Sequence, residues 1–327
     1  MFGKGSDWGP ALDLTTIAAG KGGFVIYGRD VSDWSGWSVA SAGDVNGDGI
    51  DDLIIGTFAA GESYVVFGKS SGWGAAIDLT TIAAGVGGFI VNGRDVIDSS
   101  GLAVASAGDI NGDGFDDLII GAPFAFAADN ATRYAGESYV VFGRDFTGTV
   151  THAGTGAADA LTGTASADVM VAGQGDDTIF GQGGADALQG GAGNDRIAVG
   201  DLSFLRVDGG SGTDTLVLAG TGLTLDLAAI PDTRLQSIEA IELGGNALRL
   251  TALEVLNLSD TTNTLRLTGS AGATLSFADT GWVRGATAEG FTTFTKGAAT
   301  LEVQSSIHSP GDAIAPINLA DVAAGQG

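Results

Sequence analysis

Short apolar runs separated by turns rich in glycine and aspartate extend along most of this chain. In the first part of the chain these runs have four or five residues, which is too short for a stable helix and typical of β-strands. They occupy residues 24–27, 38–42, 52–55 and 63–67. Beyond residue 218, runs such as LTLDLAAI and TLRLTG predict further strands, with one short helix around residues 251–258. No apolar run approaches the ~18 residues of a membrane helix, so no membrane span is expected.

The first part of the chain repeats itself after 65 residues. LDLTTIAAGKGGF begins at Leu12 and IDLTTIAAGVGGF at Ile77, and SAGDVNGDGIDDLIIG at Ser41 returns as SAGDINGDGFDDLIIG at Ser106. The second copy has about ten additional residues near residues 124–134, so GESYVVFG returns after 75 residues. Four short strands in a unit of this size are typical of a β-propeller blade.

The chain contains too few repeats to close a propeller by itself. Residues 1–30 match the second half of a unit, which predicts that the chain opens within a repeat. Propellers close with ~4–8 blades, and two blades and a fraction are too few for a ring. A fragment, a truncated gene and assembly with other copies are the three explanations left open.

Each copy contains an acidic loop whose oxygen donors are spaced for a hard cation. Donors at places 1, 3, 5 and 9 can converge on one ion, place 7 can add a backbone carbonyl, and glycine at place 6 permits the turn. This spacing predicts Ca²⁺ sites, with a solvated, empty turn as the alternative. A strand follows each loop directly, and the glutamate that ends an EF-hand loop is lacking. The predicted ligands are Asp44, Asn46, Asp48, Ile50 and Asp52 in the first loop, and Asp109, Asn111, Asp113, Phe115 and Asp117 in the second.

Residues 1–148 resemble FG-GAP repeats, the blades of integrin α-subunit propellers and of their bacterial relatives. The resemblance rests on the two acidic loops, on the Phe67-Gly68 and Phe142-Gly143 ends, and on Gly121-Ala122-Pro123. The first copy departs from the pattern, with Gly56-Thr57-Phe58 in place of Gly-Ala-Pro. The resemblance implies that bound ions brace the loops between strands and that the propeller binds protein partners.

A second period, of nine residues, begins at Gly154 and runs through six copies, with an insertion at residues 199–208 before the last. Aspartate occupies the sixth place of every copy and an apolar residue the eighth. The pattern is similar to hemolysin-type RTX repeats, and the resemblance implies a parallel β-roll with Ca²⁺ between its turns. In such a roll six residues form a turn and three form a strand. The aspartates that the resemblance assigns to Ca²⁺ are Asp159, Asp168, Asp177, Asp186, Asp195 and Asp214.

Since two nonapeptides complete one coil, alternate aspartates are expected on the same edge of the roll. The expected stacks are Asp159, Asp177 and Asp195 on one edge, and Asp168 and Asp186 on the other. Asp214 follows Asp195 by 19 residues, one coil plus one residue, and stays on the first edge. Without Ca²⁺ these carboxylates repel one another, which predicts folding coupled to the metal; a disordered glycine-rich linker is the alternative. Ala157 and Ser166, at a place usually taken by glycine, crowd the first two turns.

Composition narrows the functional classes. The 39 acidic and 14 basic residues give a net charge of −25, which disfavours nucleic acid and anionic membranes as partners and favours cations. The absence of cysteine excludes disulfides and thiolate chemistry. His152 and His308 lack flanking nucleophile or ligand motifs, and no HExxH, GxSxG or GxxxxGK[ST] pattern occurs. No enzyme is therefore expected, although counting acids does not exclude a catalytic carboxylate pair.

The sequence thus predicts an all-β protein with four regions. Partial FG-GAP β-propeller blades occupy residues 1–148, a parallel RTX β-roll residues 154–217, a β-rich C-terminal extension residues 218–305 and a tail residues 306–327. The extension is loosely similar to regions that follow RTX repeats in large bacterial adhesins and type I secretion substrates, which implies export with an uncleaved C-terminal signal. The chain start lacks a signal-peptide pattern, which leaves the cytosol, a route without such a signal, or a missing N-terminus.

The predicted function is that of an extracellular, bacterial, Ca²⁺-stabilised adhesion or surface-interaction protein. Its expected partners are calcium and a host or neighbouring-cell surface protein or glycan, and the loop at residues 124–134 is the candidate binding loop. A non-catalytic accessory region of an RTX exoenzyme or toxin, and a purely structural spacer, are the alternatives.

Overall fold

A computed structural model of the chain describes residues 11–126, 134–259 and 262–310. The chain forms two compact units, Met1–Ala153 and Gly154–Gly327, here called unit 1 and unit 2. The first ten residues of the predicted half repeat at residues 1–30, most of the loop at residues 124–134 and the tail from residue 311 lie outside the described residues. The predicted regions 154–217 and 218–305 lie together in unit 2.

Unit 1 is built from short strands, as the sequence predicts. Two five-residue helices, α1 and α2, were not predicted; each begins after an aspartate, Asp13 or Asp78, whose side chain accepts a bond from the backbone N–H two residues later. The elements of unit 1 are α1 (Leu14–Ala18), β1 (Val25–Tyr27), β2 (Ser38–Gly43), β3 (Asp52–Gly56), β4 (Glu62–Val66), β5 (Ala76–Asp78), α2 (Leu79–Ala83), β6 (Gly88–Asn92), a 3₁₀ turn (Val96–Asp98), β7 (Ala103–Gly108), β8 (Asp117–Ala122), β9 (Glu137–Val141) and β10 (His152–Ala153).

Two antiparallel sheets form the blades. Blade 1 has the strand order β2-β3-β4-β6, and blade 2 has the order β7-β8-β9. The grouping predicted from the sequence was wrong in one respect: residues 24–27 form β1, which pairs in parallel with β5 and not with β2. Residues 28–37 lead the chain from one sheet to the next, so the fourth strand of a blade lies at the start of the following repeat. Blade 1 and blade 2 pack through a shared apolar cluster that includes Ile54, Val65, Val104 and Leu118.

Unit 2 is a coil of strands that alternates between two parallel sheets. One sheet has the order β12-β14-β16-β19, and the other has the order β11-β13-β15-β17-β20-β22-β26-β25-β24 with its last two strands antiparallel. Strands β18, β21 and β23 form a third, parallel sheet. The strands are β11 (Ala160–Thr162), β12 (Val169–Gln174), β13 (Thr178–Gln182), β14 (Ala187–Ala192), β15 (Arg196–Val199), β16 (Arg206–Ser211), β17 (Thr215–Leu218), β18 (Thr224–Asp226), β19 (Leu235–Gln236), β20 (Ala240–Glu242), β21 (Ala247–Leu250), β22 (Thr264–Thr268), β23 (Thr274–Phe277), β24 (Val283–Ala288), β25 (Phe291–Lys296) and β26 (Ala299–Gln304).

Inward apolar side chains stack in register along the coil and continue past the nonapeptides. Ile179 pairs with Ile197, Ile197 with Leu216, and Leu216 with Ile241, and all four are buried. The extension therefore prolongs the same sheet. Its predicted helix is confirmed as α3 (Ala252–Leu258), capped by Thr251; 3₁₀ turns lie at Leu227–Ala229 and Asp232–Arg234.

The insertion predicted at residues 199–208 is a further half coil. Its last residues begin strand β16, in which Arg206 pairs with Ala187 and Val207 with Leu188. Val207 is buried at the inward place that an apolar residue occupies in every nonapeptide. The interruption inferred from the sequence was therefore wrong, because the segment keeps the inward apolar residue. It loses the aspartate, whose place Leu205 takes, and the glycine of the fourth place, where Ser203 stands.

Candidate metal centres

The first acidic loop is closed by bonds from its own backbone to its polar side chains. Asp44 accepts hydrogen bonds at its two carboxylate oxygens from the N–H groups of Asp48 (3.0 Å) and Gly49 (2.7 Å). Asn46 Oδ1 accepts from the N–H of Asp48 at 2.9 Å, and Asp48 Oδ1 accepts from that of Ile50 at 2.9 Å. These bonds draw the side chains at places 1, 3 and 5 into one tight turn, in which Asp44 and Asn46 are buried.

The second loop repeats this geometry. Asp109 accepts from the N–H groups of Asp113 (3.1 Å) and Gly114 (2.7 Å). Asn111 Oδ1 accepts from Asp113 N–H at 3.0 Å, and Asp113 Oδ1 accepts from Phe115 N–H at 3.0 Å. Two copies with matching bonds show that the spacing of the polar residues, and not chance, determines the turn.

The aspartate at place 9 of each loop accepts a backbone hydrogen bond from the end of the third strand of its blade. Asp52 accepts from the N–H groups of Val45 (3.1 Å) and Gly68 (2.7 Å), and Asp117 accepts from that of Gly143 (2.9 Å). Gly68 and Gly143 are the glycines of the repeated Phe-Gly pair. The Phe-Gly signature thus supplies the backbone donor that orients the last carboxylate of the loop.

The electrostatics of both loops favour a bound cation. Burial raises the pKa of Asp52 to about 8, and the charges of Asp44 and Asp48 act in the same direction. Burial also raises the pKa values of Asp48, Asp109 and Asp117. Carboxylates gathered in a partly buried turn repel one another at neutral pH, and a divalent cation removes that repulsion. The loops fit Ca²⁺, held by side chains from places 1, 3, 5 and 9; the carbonyl ligands at place 7 stay a prediction.

Asp116 joins the two loops, a role that sequence reasoning missed. Its Oδ2 accepts from the N–H of Asp44 at 2.7 Å, and its own N–H donates to the carbonyl of Asp44 at 3.2 Å. Next to this pair, Arg144 N–H donates to the carbonyl of Val45 at 3.0 Å. The only signal in the sequence was the doubled acid at places 8 and 9 of each loop, and nothing there indicated a partner in the other repeat.

The aspartates of the nonapeptides stack along the first edge of the roll, as the sequence predicts. Each backbone N–H donates to Oδ1 of the aspartate one coil further on: Asp159 to Asp177 at 2.6 Å, Asp177 to Asp195 at 2.8 Å, and Asp195 to Asp214 at 2.7 Å. The extra residue between Asp195 and Asp214 does not break the stack.

Three oxygens of this stack are buried without a hydrogen-bond partner. They are Oδ2 of Asp177, Asp195 and Asp214. Burial, with the charges of neighbouring acids, raises the pKa of Asp195 to about 6 and that of Asp214 to about 7. A buried carboxylate oxygen without a donor is unfavourable unless a proton or a cation meets it. The row of such oxygens fits a row of Ca²⁺ ions.

Threonine hydroxyls cap the corresponding oxygens in the first two turns. Thr155 donates to Asp159 Oδ2 through its N–H (2.6 Å) and its hydroxyl (2.7 Å), and Thr164 does the same to Asp168 Oδ2 (2.6 and 2.9 Å). The fourth place of these two turns also differs from that of the later turns. It holds Ala157 and Ser166, which are not glycine and do not adopt positive φ. The glycines at that place in the later turns have positive φ: Gly175, Gly184, Gly193 and Gly212. The later turns therefore fit Ca²⁺ better than the first two.

The two edges of the roll end differently. On the second edge, Asp168 N–H donates to Asp186 Oδ1 at 2.9 Å, but the next coil presents Leu205, whose N–H donates to the carbonyl of Asp186. On the first edge, Asp214 N–H donates to Oε2 of Glu239 at 2.8 Å, as each earlier aspartate donates to the next. Sequence reasoning missed Glu239, although the acid stands two residues before an inward apolar residue, as the nonapeptide aspartates do.

Within the described residues, no three side chains of His, Cys, Asp or Glu come together as a metal cluster. Each site thus depends on one or a few carboxylates supplemented by amide and backbone oxygens, which is the ligand set of Ca²⁺ and not of a transition metal. The described residues also contain no helix that is long and apolar enough to cross a membrane. Blades with acidic loops and a roll with stacked aspartates define a calcium-binding repeat protein.

Comparison with protein families identifies the two kinds of repeat. The FG-GAP repeat model matches residues 35–66 and 100–141, and the model of the RTX calcium-binding nonapeptide repeat (4 copies) matches residues 154–187 and 162–197. The chain contains FG-GAP repeats and RTX calcium-binding repeats, and it binds Ca²⁺.

Curated relatives match about a third of the chain, and the integrins among them support the FG-GAP part. Integrin alpha-PS2 of Drosophila melanogaster is 36% identical over 105 residues, which are 31% of this chain and 7% of the relative. Integrin alpha pat-2 of Caenorhabditis elegans is 39% identical over 119 residues, 34% of this chain and 9% of the relative. Phosphatidylinositol-glycan-specific phospholipase D of Rattus norvegicus is 37% identical over 118 residues, 33% of this chain and 13% of the relative. The chain spans only a small part of each of these proteins.

Proposed function

We propose that this chain is an extracellular, Ca²⁺-stabilised surface-interaction protein that binds a cell-surface protein or glycan and catalyses no reaction of its own. The observation that carries the proposal is an exposed aromatic surface at the end of unit 1 opposite to the calcium loops. The calcium loops connect β2 to β3 and β7 to β8, whereas the aromatic residues precede β2 or lie between the second and third strands of a blade. In an antiparallel sheet these segments lie at opposite ends.

The aromatic end, defined as Trp34, Trp37, Phe58, Phe124 and Tyr134, has the character of a recognition surface. The ring centroids of Trp37 and Phe58 lie 4.8 Å apart, and those of Phe124 and Tyr134 lie 5.9 Å apart at right angles. Both tryptophans and Tyr134 are exposed. Exposed aromatic clusters mark interaction sites, because such rings offer a large apolar area at a low entropic cost.

The second blade adds a concave feature to this surface. An open pocket of ≈ 480 Å³ is lined by Ile97, Phe124, Phe126 and Tyr134, at the base of the candidate binding loop. Arg94, in the segment between β6 and β7 that also contains Ile97, pairs at 2.8 Å with Glu137 of β9 and adds charged groups to this part of unit 1. An apolar centre with a polar rim is the usual anatomy of a protein-binding surface.

The proposal predicts that changes at the aromatic end affect partner binding but not Ca²⁺ binding, which a variant can test. The double variant Trp34→Ala/Trp37→Ala should lower the binding of the labelled full chain to cultured cells and glycan arrays at least tenfold, while Ca²⁺ affinity by calorimetry stays unchanged. The control is Val86→Ala, an exposed apolar residue in the turn after α2. Unchanged binding by the double variant, or an equal loss of binding and Ca²⁺ affinity, would refute the proposal.

A second candidate function is an accessory region of an exoenzyme. The similarity of about a third of this chain to a phosphatidylinositol-glycan-specific phospholipase D favours it, since that relative is named as an enzyme. The intact mass of the protein isolated from its natural source separates the two candidates. A natural protein that is heavier than this chain and that hydrolyses a substrate supports the accessory role. A natural protein without such an additional, hydrolytic region supports the surface-interaction role.

A further inference from the structure

Repeat-equivalent residues of the two blades have opposite exposures. Ile54 and Val65 of blade 1 are 0% exposed, whereas their counterparts in blade 2, Ile119 and Val140, are 40% and 44% exposed. On the other side of each sheet the difference is reversed at Leu118 of blade 2, which is 1% exposed, whereas its counterpart in blade 1 is partly open to solvent. Those open counterparts are Val39 (67%) and Leu53 (37%).

These exposures follow from the way the blades stack. Blade 1 covers one side of blade 2. The other side of blade 1 is covered in part, because Ile55 and Tyr64 are buried against α2, and it stays open at its exposed residues. The open face of blade 1 is defined by Val39 and Leu53, and the open face of blade 2 by Ile119, Val140 and Phe142. Each open face is the repeat copy of a side that is already buried in the contact between the blades. The two open faces are therefore complementary to each other, and neither is complementary to itself.

Blade 2 also lacks a strand. Blade 1 has four strands, and its fourth is β6, whereas the described residues give blade 2 only three. The chain does contain one more copy of the fourth strand: β1 precedes β6 by the 65-residue repeat, with Ile26 in the place of Val91. This copy is not part of either blade, and among the described residues it pairs with the short strand β5 alone.

The position of β1 prevents it from completing blade 2 of its own chain. Ile26 lines an open groove of ≈ 290 Å³ together with Val39 and Leu53, so β1 lies beside the open face of blade 1. Blade 2 packs on the other side of blade 1, through Ile54 and Val65. Blade 1 stands between the spare strand and the blade that lacks it.

The backbone of β1 is oriented for a partner strand. In blade 1, Ser63 of β4 pairs with Val91 of β6, so the repeat predicts that Ser138 of β9 pairs with Ile26 of β1. Val25 N–H donates to the carbonyl of Ala75 on the β5 side at 3.1 Å. Because successive N–H groups of a strand point to opposite edges, that of Ile26 points to the edge that faces away from β5.

We propose that β1 of one chain completes blade 2 of a second copy of this chain. The open face of blade 2 in one copy then packs on the open face of blade 1 in the other, with β9 and β1 antiparallel and Ser138 beside Ile26. The contact is head-to-tail, so it repeats from copy to copy, and the rotation between successive blades of a propeller is what lets such a contact close into a ring. Two to four copies supply four to eight blades, the range in which propellers close. Physiological salt screens the negative charge of the copies beyond ~8 Å.

Sedimentation of the full chain with Ca²⁺ at about 0.15 M salt tests the proposal. The wild-type chain should sediment as a species of two to four copies at micromolar concentration. Val39→Asp and Val140→Asp, each on a different open face, should sediment as monomers. Val86→Asp, a matched exposed valine outside both faces, should assemble as the wild type does. A monomeric wild type, or assembly that survives both face variants, overturns the proposal.

A mixing experiment distinguishes the head-to-tail contact from a symmetric one. The Val39→Asp chain keeps its blade 2 face, and the Val140→Asp chain keeps its blade 1 face. An equimolar mixture should therefore form a 1:1 dimer that grows no further, and formation of this dimer also shows that both variants are folded. If either variant dimerises alone, or the mixture stays monomeric, the contact is not the one proposed.

The strand pairing has its own test. Proline at an edge position removes one donor and blocks pairing on that edge, but does not disturb the bonds on the other edge. Ile26→Pro should therefore abolish assembly of the chain while Ca²⁺ binding persists. Hydrogen exchange should show residues 137–141 protected in the wild-type assembly and exposed in this variant. Assembly by Ile26→Pro at wild-type concentrations would exclude the strand exchange.

Discussion

The backbone N–H of Asp44 donates to Oδ2 of Asp116 at 2.7 Å, and the N–H of Asp116 donates back to the carbonyl of Asp44 at 3.2 Å. Asp44 is the first polar residue of one calcium loop, and Asp116 belongs to the other. The two loops are therefore joined across neighbouring blades. An ion that orders Asp44 also orders the contact between the blades.

Loss of the Asp116 carboxylate should loosen both the blade contact and the first calcium loop. Asp116→Ala removes one charge-assisted hydrogen bond, which corresponds to about 1.5–3 kcal/mol of unfolding free energy. Urea unfolding in Ca²⁺ checks the stability, and calorimetry should show weaker Ca²⁺ binding at one site. The control is Asp51→Ala, the same place in the first loop, which should weaken the blade contact less because it leaves the bond from Asp44 to Asp116 intact. Equal effects of the two variants would contradict the coupling.

In the absence of Ca²⁺, the roll should be more stable at pH 5 than at pH 8. Folding raises the pKa of Asp195 from 3.8 to about 6 and that of Asp214 from 3.8 to about 7, chiefly through burial. An acid whose pKa rises on folding holds its proton more tightly in the folded chain, so its contribution is present at low pH and is lost as the pH rises through the folded value. The loss should be on the order of 2–4 kcal/mol in total.

Hydrogen exchange of the segment at residues 190–218 in EDTA measures this effect. Protection should fall from pH 5 to pH 8 after correction for the intrinsic exchange rate. With saturating Ca²⁺ the trend should reverse, because protons then compete with the ion for the carboxylates. Protection in EDTA that rises with pH would show that burial does not dominate these side chains.

The capped and the open turns of the roll should differ in Ca²⁺ stoichiometry. Asp195→Asn removes the charge of an oxygen that has no donor, and should lower the number of bound ions by at least one. Asp159→Asn acts on a carboxylate that Thr155 already caps, and should leave the number unchanged. Calorimetry with Ca²⁺ gives both numbers. The same decrease for both variants would mean that the threonine cap does not replace an ion.

Glu239 should act as the last carboxylate of the first edge. Glu239→Gln keeps the length and the hydrogen-bonding capacity of the side chain but removes its charge, so the site next to Asp214 should bind Ca²⁺ about tenfold more weakly. The matched control is Glu242→Gln, which removes an equal charge from an exposed pair with Arg196 in the same strand region. Equal Ca²⁺ affinities of the two variants would assign Glu239 a purely structural role.

Local features of this protein followed directly from its sequence. The 65-residue period placed the strands of the first repeat within one or two residues, since turn residues bound each apolar run. The nine-residue period placed the starts of the roll strands, but β12, β14 and β16 have six residues in place of the predicted three. The spacing within Asp44–Asp52 predicted which side chains gather in one turn, and the spacing of the nonapeptides predicted the stack of Asp177 on Asp195. Such features depend on neighbours within one turn or one coil, where chain geometry leaves little freedom.

Relations between distant segments were not accessible in this way. Sequence reasoning assigned residues 24–27 to the wrong sheet, treated residues 199–208 as an interruption, and overlooked Glu239 and the bond from Asp44 to Asp116. Each of these depends on which strand lies beside which. A repeat specifies what each blade looks like, but only the packing shows which of its two sides is covered. Val39 and Val104 occupy the same place in their repeats, and only the tertiary structure, which stacks blade 2 on one side of blade 1, buries the second and leaves the first exposed.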